Sequence, residues 1–333
     1  MLRAAIVGLG WWGQNLVSAA QGKGEVEFVL AQTRTKSKAE EFCRTKGIKL
    51  VDQYEEVLAD KVIDAVVLAT PHSQHGDQVR EAAAAGKHVF VEKPFTLTAD
   101  DARRAIDATH KAGVVLAVGF NRRFHPNMAE LTARVKGGRM GTIHTCIGEQ
   151  TAYAAYAMQA PGASWRLESE ETPAGAMTGI GIHTLDSMIG LFGKVTEAHC
   201  IVTRRGAPHI DDTTTVMLKF ADGATGVIFC SFTTAPSYRL AVYGTKGLAE
   251  IHKASLEEFR FTPVAQAGHA AAPAPEIIHK PGINTLEAEL HAFAAAARDR
   301  KLETVPLEEV LHGVEAFEAV VKSSTEGRPV KVG

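Results

Sequence analysis

The chain has 333 residues, 45% of them apolar and 22% charged, and a formal net charge of −2. That balance offers no electrostatic case for nucleic acid or an anionic membrane as partner. No apolar run approaches the ~20 residues of a membrane span, and the length suits two domains. Four cysteines, Cys43, Cys146, Cys200 and Cys230, show neither metal-ligand spacing nor disulfide-framework density, the pattern of reduced thiols in a cytoplasmic protein. The opening MLRAAIVGLG enters a strand directly, without the regions of a signal peptide, which supports the same cytoplasmic expectation.

The first third alternates in period. AAIVGLG, VEFVLAQT, DAVVLAT, KHVFVEK and VVLAVGF read as short strands apolar on both faces. Helical patterns separate most of them: Trp11 to Ala20, Ser37 to Lys46 with Ser37 at its cap, DQVREAAAAG, and Thr98 to Lys111 with Gly113 just past its end. Buried strands divided by amphipathic helices predict a doubly wound parallel α/β sheet over residues 1–121. After about residue 122 the rhythm changes, and residues 122–333 read as an α+β domain with a large, mostly antiparallel sheet. Residues 125–137 read as a helix, and residues 173–191 as an apolar helix entered through Pro173. The runs EAHCIVTRR, TTTVMLKF, ATGVIFCSF, YRLAVYG and LAEIH are strand-like, with hairpin signals at Asp222-Gly223 and Gly244-Thr245-Lys246-Gly247. An Ala/Pro-rich loop covers residues 265–276, and helices near 284–300 and 306–325 close the chain.

VGLGWWG places Gly8, Gly10 and Gly13 as Gly-x-Gly-x-x-Gly between a strand and a helix. In that context the pattern predicts a dinucleotide site, with the pyrophosphate at the helix N-terminus. Trp11 and Trp12 stand between the glycines, either bordering the nicotinamide side or packing. About 20 residues on, a NAD site usually places an acid against the ribose 2′-hydroxyl. Here the second strand runs into AQTRTKSK, with Thr33 near that position, then Arg34, and Lys36 and Lys38 nearby. Without a carboxylate to repel a 2′-phosphate, and with Arg34 able to fork onto one, the pattern favours NADP over NAD.

Ligands of doubly wound sheets bind at the carboxyl edge of the strands. DAVVLATPHSQH puts Thr70, Pro71, His72 and His75 there, and KHVFVEKP puts Glu92 and Lys93 there. No Cys or carboxylate cluster joins the two histidines, so no metal is expected. A lysine at this edge can hydrogen-bond the oxygen of a reacting alcohol and stabilise its developing negative charge. Arg122 and Arg123 follow the last strand of the first domain; one suits phosphate or substrate, the other a structural ion pair. Tyr153 and Tyr156, in a stretch of small residues, either stack on a sugar ring or anchor their loop.

VGLGWWG, LATPHSQH, VEKP, GFNRRFHP, SWRLE, GIGIHTLD and the tail LHGVEAFEAVVKSSTEGRPVKV together resemble the Gfo/Idh/MocA oxidoreductases over nearly the whole chain. The resemblance implies a Rossmann domain followed by a substrate and oligomerisation domain, and NAD(P)-dependent dehydrogenation of a CH–OH group. It implies that Lys93 is the catalytic residue at the nicotinamide and that His183 is the second acid/base residue. It places Arg166 near cofactor or substrate. Several sugar and inositol relatives carry an aspartate one helical turn before the histidine; Gly179 stands there, beside Thr178, which weakens an inositol assignment. Asp186, three residues after His183, either orients the imidazole, binds a substrate hydroxyl or ties helices together. A homo-oligomer formed through the C-terminal sheet is expected, as in many relatives.

Overall fold

The computed structural model describes residues 1–154, 164–207, 210–265 and 273–333. The chain forms two compact units, one of residues 1–121 with 284–314 and the other of residues 122–283 with 315–333. Residues 284–314 do not follow the expectation of one continuous C-terminal domain: they belong to the first unit.

In the first unit the chain runs β1 (Leu2–Val7), α1 (Trp11–Ala20), β2 (Val26–Gln32), α2 (Glu40–Lys46), β3 (Lys49–Val51), α3 (Tyr54–Ala59), β4 (Ala65–Leu68), α4 (His75–Ala84), β5 (His88–Val91), α5 (Ala99–Ala112) and β6 (Leu116–Val118). The strands form one parallel sheet in the order β3-β2-β1-β4-β5-β6. Every residue of β4 is buried, as are three of the four in β5. Helices on both faces demand such strands, so they read as unbroken apolar runs. Thr98 caps α5 by accepting from the Asp101 N–H, and Gly113 ends it in the left-handed region.

Three local expectations change. Ser37 sits inside a 3-10 turn, Lys36–Lys38, and α2 starts after Ala39 without a side-chain cap. The strand β3 and helix α3 lie between the expected helix ending at Lys46 and the strand DAVVLAT, where no element is expected from the sequence. β3 has three residues, of which only Val51 is buried, too few to show a period. For α3 a signal was present: Gln53 and Glu56 form a reciprocal capping box.

The second unit holds α6 (Pro126–Lys136), β7 (Ile143–Tyr153), α7 (Ile182–Phe192), β8 (Val195–Thr203), β9 (Thr213–Phe220), β10 (Thr225–Ser231), β11 (Thr233–Gly244), β12 (Gly247–His252), β13 (Glu258–Pro263) and β14 (Glu276–His279). Then come α8 (Thr285–Asp299), α9 (Leu307–Glu326) and β15 (Val330–Lys331). The nine-stranded sheet runs β14-β13-β12-β11-β7-β10-β9-β8-β15, antiparallel throughout except for the β7–β10 pair. Both hairpin signals form, at β9–β10 and β11–β12. Buried residues alternate along β9 and β10 and face α7, whereas Ile201, Met217 and Phe229 on the other face are exposed. The helix expected from Pro173 starts later. Ala174 and Gly175 both have positive φ, and a π turn over Met177–Gly181 precedes α7. All four cysteines are buried and free.

The helix α8 covers the first unit's sheet. Leu290, Phe293, Ala294 and Ala296 join the core formed by β1, β2 and α1, and Phe293 meets Phe90 of β5 edge to face at 5.9 Å. The chain after α8 then bridges to the edge strand β6 at Leu116.

Asp212 anchors the loop before β9. Its carboxylate is fully buried. Burial alone raises its pKa, but the backbone N–H groups of Ala207, Gly206 and Arg205 and the Thr213 hydroxyl donate to it and hold it below the ordinary value. A depressed folded pKa contributes stability above the unfolded pKa, and that contribution is lost as pH falls through the folded value. Asp212→Asn is therefore expected to cost about 2 kcal/mol at neutral pH, read as a lower thermal midpoint. The gap to wild type should narrow as the pH drops below the ordinary carboxylate range; a gap independent of pH would contradict this account.

Candidate active site

The first three site glycines meet different surroundings. Gly8 has φ of +89°, and a Cβ there would lie 2.5 Å from the Ala69 carbonyl at the end of β4. A Cβ on Gly13 would lie 2.3 Å from the Gly8 carbonyl, so α1 and β1 approach closely only through hydrogen. A Cβ on Gly10 would meet nothing within 4 Å. The first turn of α1 has no side-chain cap and no acidic residue. An open face beside uncapped N–H groups fits a pyrophosphate. Trp11 is 74% exposed, whereas Trp12 packs against the core.

At the end of β2, Thr33 is half-buried and Arg34 and Lys38 are exposed. The Lys36 ammonium pairs with Asp52 at 2.7 Å. Thr70, past β4, is buried and donates its hydroxyl to Gln78 Oε1 at 2.6 Å. His75 is fully buried, with Nδ1 2.9 Å from the Pro94 carbonyl and Nε2 3.1 Å from the Thr70 carbonyl. It braces the turn after β4 against the turn after β5. Its ring meets that of His72, also buried, edge-on at 5.8 Å. Pro71 precedes the 3-10 turn that carries His72. Among the described residues no group of three or more His, Cys, Asp or Glu could hold a metal ion.

The turn after β5 is the most constrained part of this edge. Glu92 still donates its N–H to the Leu68 carbonyl, as a strand residue would. Its carboxylate is buried and accepts from the Lys93 N–H at 3.2 Å. A Cβ on Gly119, past β6, would lie 2.9 Å from Glu92 Oε1. Lys93 is half-buried, and the Lys93–Pro94 peptide is cis.

In the second unit, α7 carries His183 and Asp186, both buried. Asp186 accepts on both carboxylate oxygens from Arg123, at 2.9 and 2.7 Å. That two-pronged pair joins the turn after Asn121 to α7. Arg122 is buried and stacks over the Tyr238 ring at 4.4 Å, and its Nη1 has no hydrogen-bond partner among the described residues. Arg166 lies 4.1 Å over the Trp165 ring. Tyr153 is 62% exposed at the end of β7, and Tyr156 lies outside the described residues.

Two residues escaped sequence reasoning. His125 caps α6 through Nδ1, and burial lowers its pKa, which keeps that nitrogen an acceptor. Glu289 on α8 is 1% exposed, and neither carboxylate oxygen has a hydrogen-bond partner among the described residues. Only the return of α8 to the first unit, invisible in local pattern, brings it into play.

Residues 2–120 match the Gfo/Idh/MocA oxidoreductase family's NAD-binding Rossmann-fold profile, and residues 128–250 match that family's C-terminal domain. The chain belongs to the Gfo/Idh/MocA family. Its curated relatives include scyllo-inositol 2-dehydrogenase (NAD(+)) of Bacillus subtilis strain 168, 39% identical over 145 residues. That match spans 42% of each chain, less than half of the relative's length. D-xylose 1-dehydrogenase (NADP(+)) 2 of Haloferax volcanii is 26% identical over 331 residues, 98% of both chains. Levoglucosan dehydrogenase, solved with NADH and levoglucosan, superposes with a TM-score of 0.88 at 22% identity, over 100% of this chain and 99% of that one.

Gly179 stands where the resemblance leads to the expectation of an aspartate. A Cβ there would lie 2.3 Å from the Phe232 ring. The space that a side chain would need is filled by an aromatic ring. Thr178, its neighbour, is buried and donates its hydroxyl to the Pro173 carbonyl. Gly179→Asp is therefore expected to cost more than about 2 kcal/mol, through overpacking against the tip of the Phe232 ring and a carboxylate buried beside an apolar group. Phe232→Ala in the same chain should recover part of that loss, a coupling read from thermal melts of the two single variants and the double variant. Additive losses would rule out the steric conflict.

Proposed function

We propose that this chain is an NADP-dependent oxidoreductase acting on a secondary alcohol or hemiacetal carbon of a sugar, cyclitol or related polyol. The observation that carries the reading is Lys93, held half-buried at the carboxyl edge of the parallel sheet by the Glu92 turn, in a chain of this family. The bound nicotinamide supplies the hydride acceptor or donor. Gly8, Gly10, Gly13 and the first turn of α1 hold the pyrophosphate, and Thr33 and Arg34 meet the ribose side. Lys93 hydrogen-bonds the reacting oxygen and stabilises its negative charge. His183 exchanges the hydroxyl proton; an imidazole suits that task near neutral pH. Arg122, with an Nη1 that has no hydrogen-bond partner among the described residues, is assigned to an anionic group of cofactor or substrate.

NADP is preferred because the end of β2 carries no carboxylate and leaves Arg34 exposed, while the nearby Asp52 is bound by Lys36. Phe232 against Gly179 supports a second reading, a dehydrogenase for a non-sugar diol, because the ring makes that surface apolar. A dinucleotide-binding regulator without turnover is the alternative from another class. The exposed Ile201, Met217 and Phe229 on neighbouring strands support a homo-oligomer, with a second copy covering that sheet face.

Lys93→Met separates enzyme from regulator. It should keep NADPH affinity within about threefold and lose turnover by on the order of 10²–10⁴, followed by nicotinamide absorbance with a panel of aldoses, inositols, sugar acids and aromatic dihydrodiols. Undiminished turnover would remove Lys93 from the chemistry. A wild type that binds NADPH and turns over none of the panel would favour the regulator. Arg34→Ala should weaken NADPH binding about tenfold or more and leave NADH binding nearly unchanged, in a fluorescence titration. Equal losses for the two cofactors would overturn the NADP preference.

A further inference from the structure

Glu289 is a carboxyl group shut away from water with no hydrogen-bond partner for either oxygen among the described residues. The register of the first unit explains where it points. Phe293 packs on Phe90 of β5. One helical turn before Phe293 is Glu289, on the same face of α8. Two residues beyond Phe90 is Glu92, on the same side of the strand line. The helix therefore carries Glu289 to the carboxyl end of β5, where Glu92 and Lys93 are the charged groups that act on it. One turn earlier again, Thr285 Oγ1 accepts from Asn121 Nδ2 at 2.7 Å, which pins the start of α8 just past β6.

Two buried carboxyl groups beside one lysine cannot both ionise at low cost. Glu92 is the one with a donor to its charge, the Lys93 N–H. Burial and the Glu92 charge both push the Glu289 carboxyl up from its ordinary value, and Lys93 opposes them.

We propose that Glu289, buried at the carboxyl end of β5 with neither oxygen hydrogen-bonded among the described residues, is a positioning residue for Lys93 and sets how readily Lys93 exchanges its proton. While Glu289 is neutral, Glu92 and Lys93 form a pair without net charge. When Glu289 loses its proton, a second negative charge holds Lys93 in its ammonium form. The two groups then titrate as a coupled set. The link to catalysis rests on the role proposed for Lys93; the proton on Glu289 does not.

The test uses infrared difference spectra of the whole protein, wild type against Glu289→Gln. A protonated-carboxyl carbonyl band should be present in wild type at pH 7, absent from the variant, and lost from wild type as pH rises. Glu92→Gln should move that loss to lower pH and Lys93→Met to higher pH, each by about one unit. These two variants carry the test if Glu289→Gln fails to fold. No such band at pH 7, or a loss unmoved by both substitutions, overturns the assignment. In turnover, Glu289→Gln should shift the alkaline limb of kcat/KM to lower pH, with Glu289→Asp restoring part of the shift. A profile that superposes on wild type overturns the link to Lys93. Full turnover in Lys93→Met would instead sink the catalytic reading while leaving the infrared result intact.

Discussion

Glu92 puts a carboxylate inside the first unit, one residue past a strand whose last three side chains are all out of water. Its main chain still belongs to the sheet, through the Leu68 carbonyl, but its side chain needs a donor and room. The donor is the N–H of the next residue, Lys93. The room lies beside the continuation of β6, where a Cβ at Gly119 would come within 2.9 Å of Glu92 Oε1. One buried acid thus meets the backbone of the lysine, the glycine past β6 and the place where the chain turns. His75 then sits between this turn and the one after β4, with a ring nitrogen within hydrogen-bond distance of a carbonyl in each.

Much of this was legible in the sequence, for identifiable reasons. Strands buried on both faces write themselves as apolar runs, and β1, β2, β4, β5 and β6 were all found that way. The Gly8–Gly10–Gly13 spacing carries its own mechanism, which the close contacts at Gly8 and Gly13 and the open face at Gly10 repeat in space. The family was readable from VEKP and GIGIHTLD because those motifs are long and lie in the right context. What escaped was short or non-local. β3 has one buried residue and no period. The late start of α7 follows from positive φ at Ala174, which no propensity announces for alanine. The membership of α8 in the first unit depends on an aromatic contact between residues 90 and 293, and nothing in either segment names the other.

In the second unit, α7 carries the motif that the resemblance singled out. His183 and Asp186 retain their spacing on α7, and Arg123 occupies both oxygens of Asp186. Phe232 stands over Gly179, so a ring edge replaces whatever polar group a longer side chain would present. The helix before His183 is also opened by a π turn, a feature that recurs at functional sites because it re-aims the residues around it.

The passage of α8 back to the first unit has a consequence for how the protein is made. A chain leaving the ribosome N-terminus first has all six strands of the parallel sheet long before residues 284–299 exist. Until then, the surface that Leu290, Phe293, Ala294 and Ala296 will cover remains bare, and the edge of β6 has no bridge. The first unit to be synthesised is thus closed only after most of the second unit has already emerged. A nascent chain in that interval exposes apolar surface and a free strand edge, the two features that chaperones recognise and that drive aggregation when they are left uncovered.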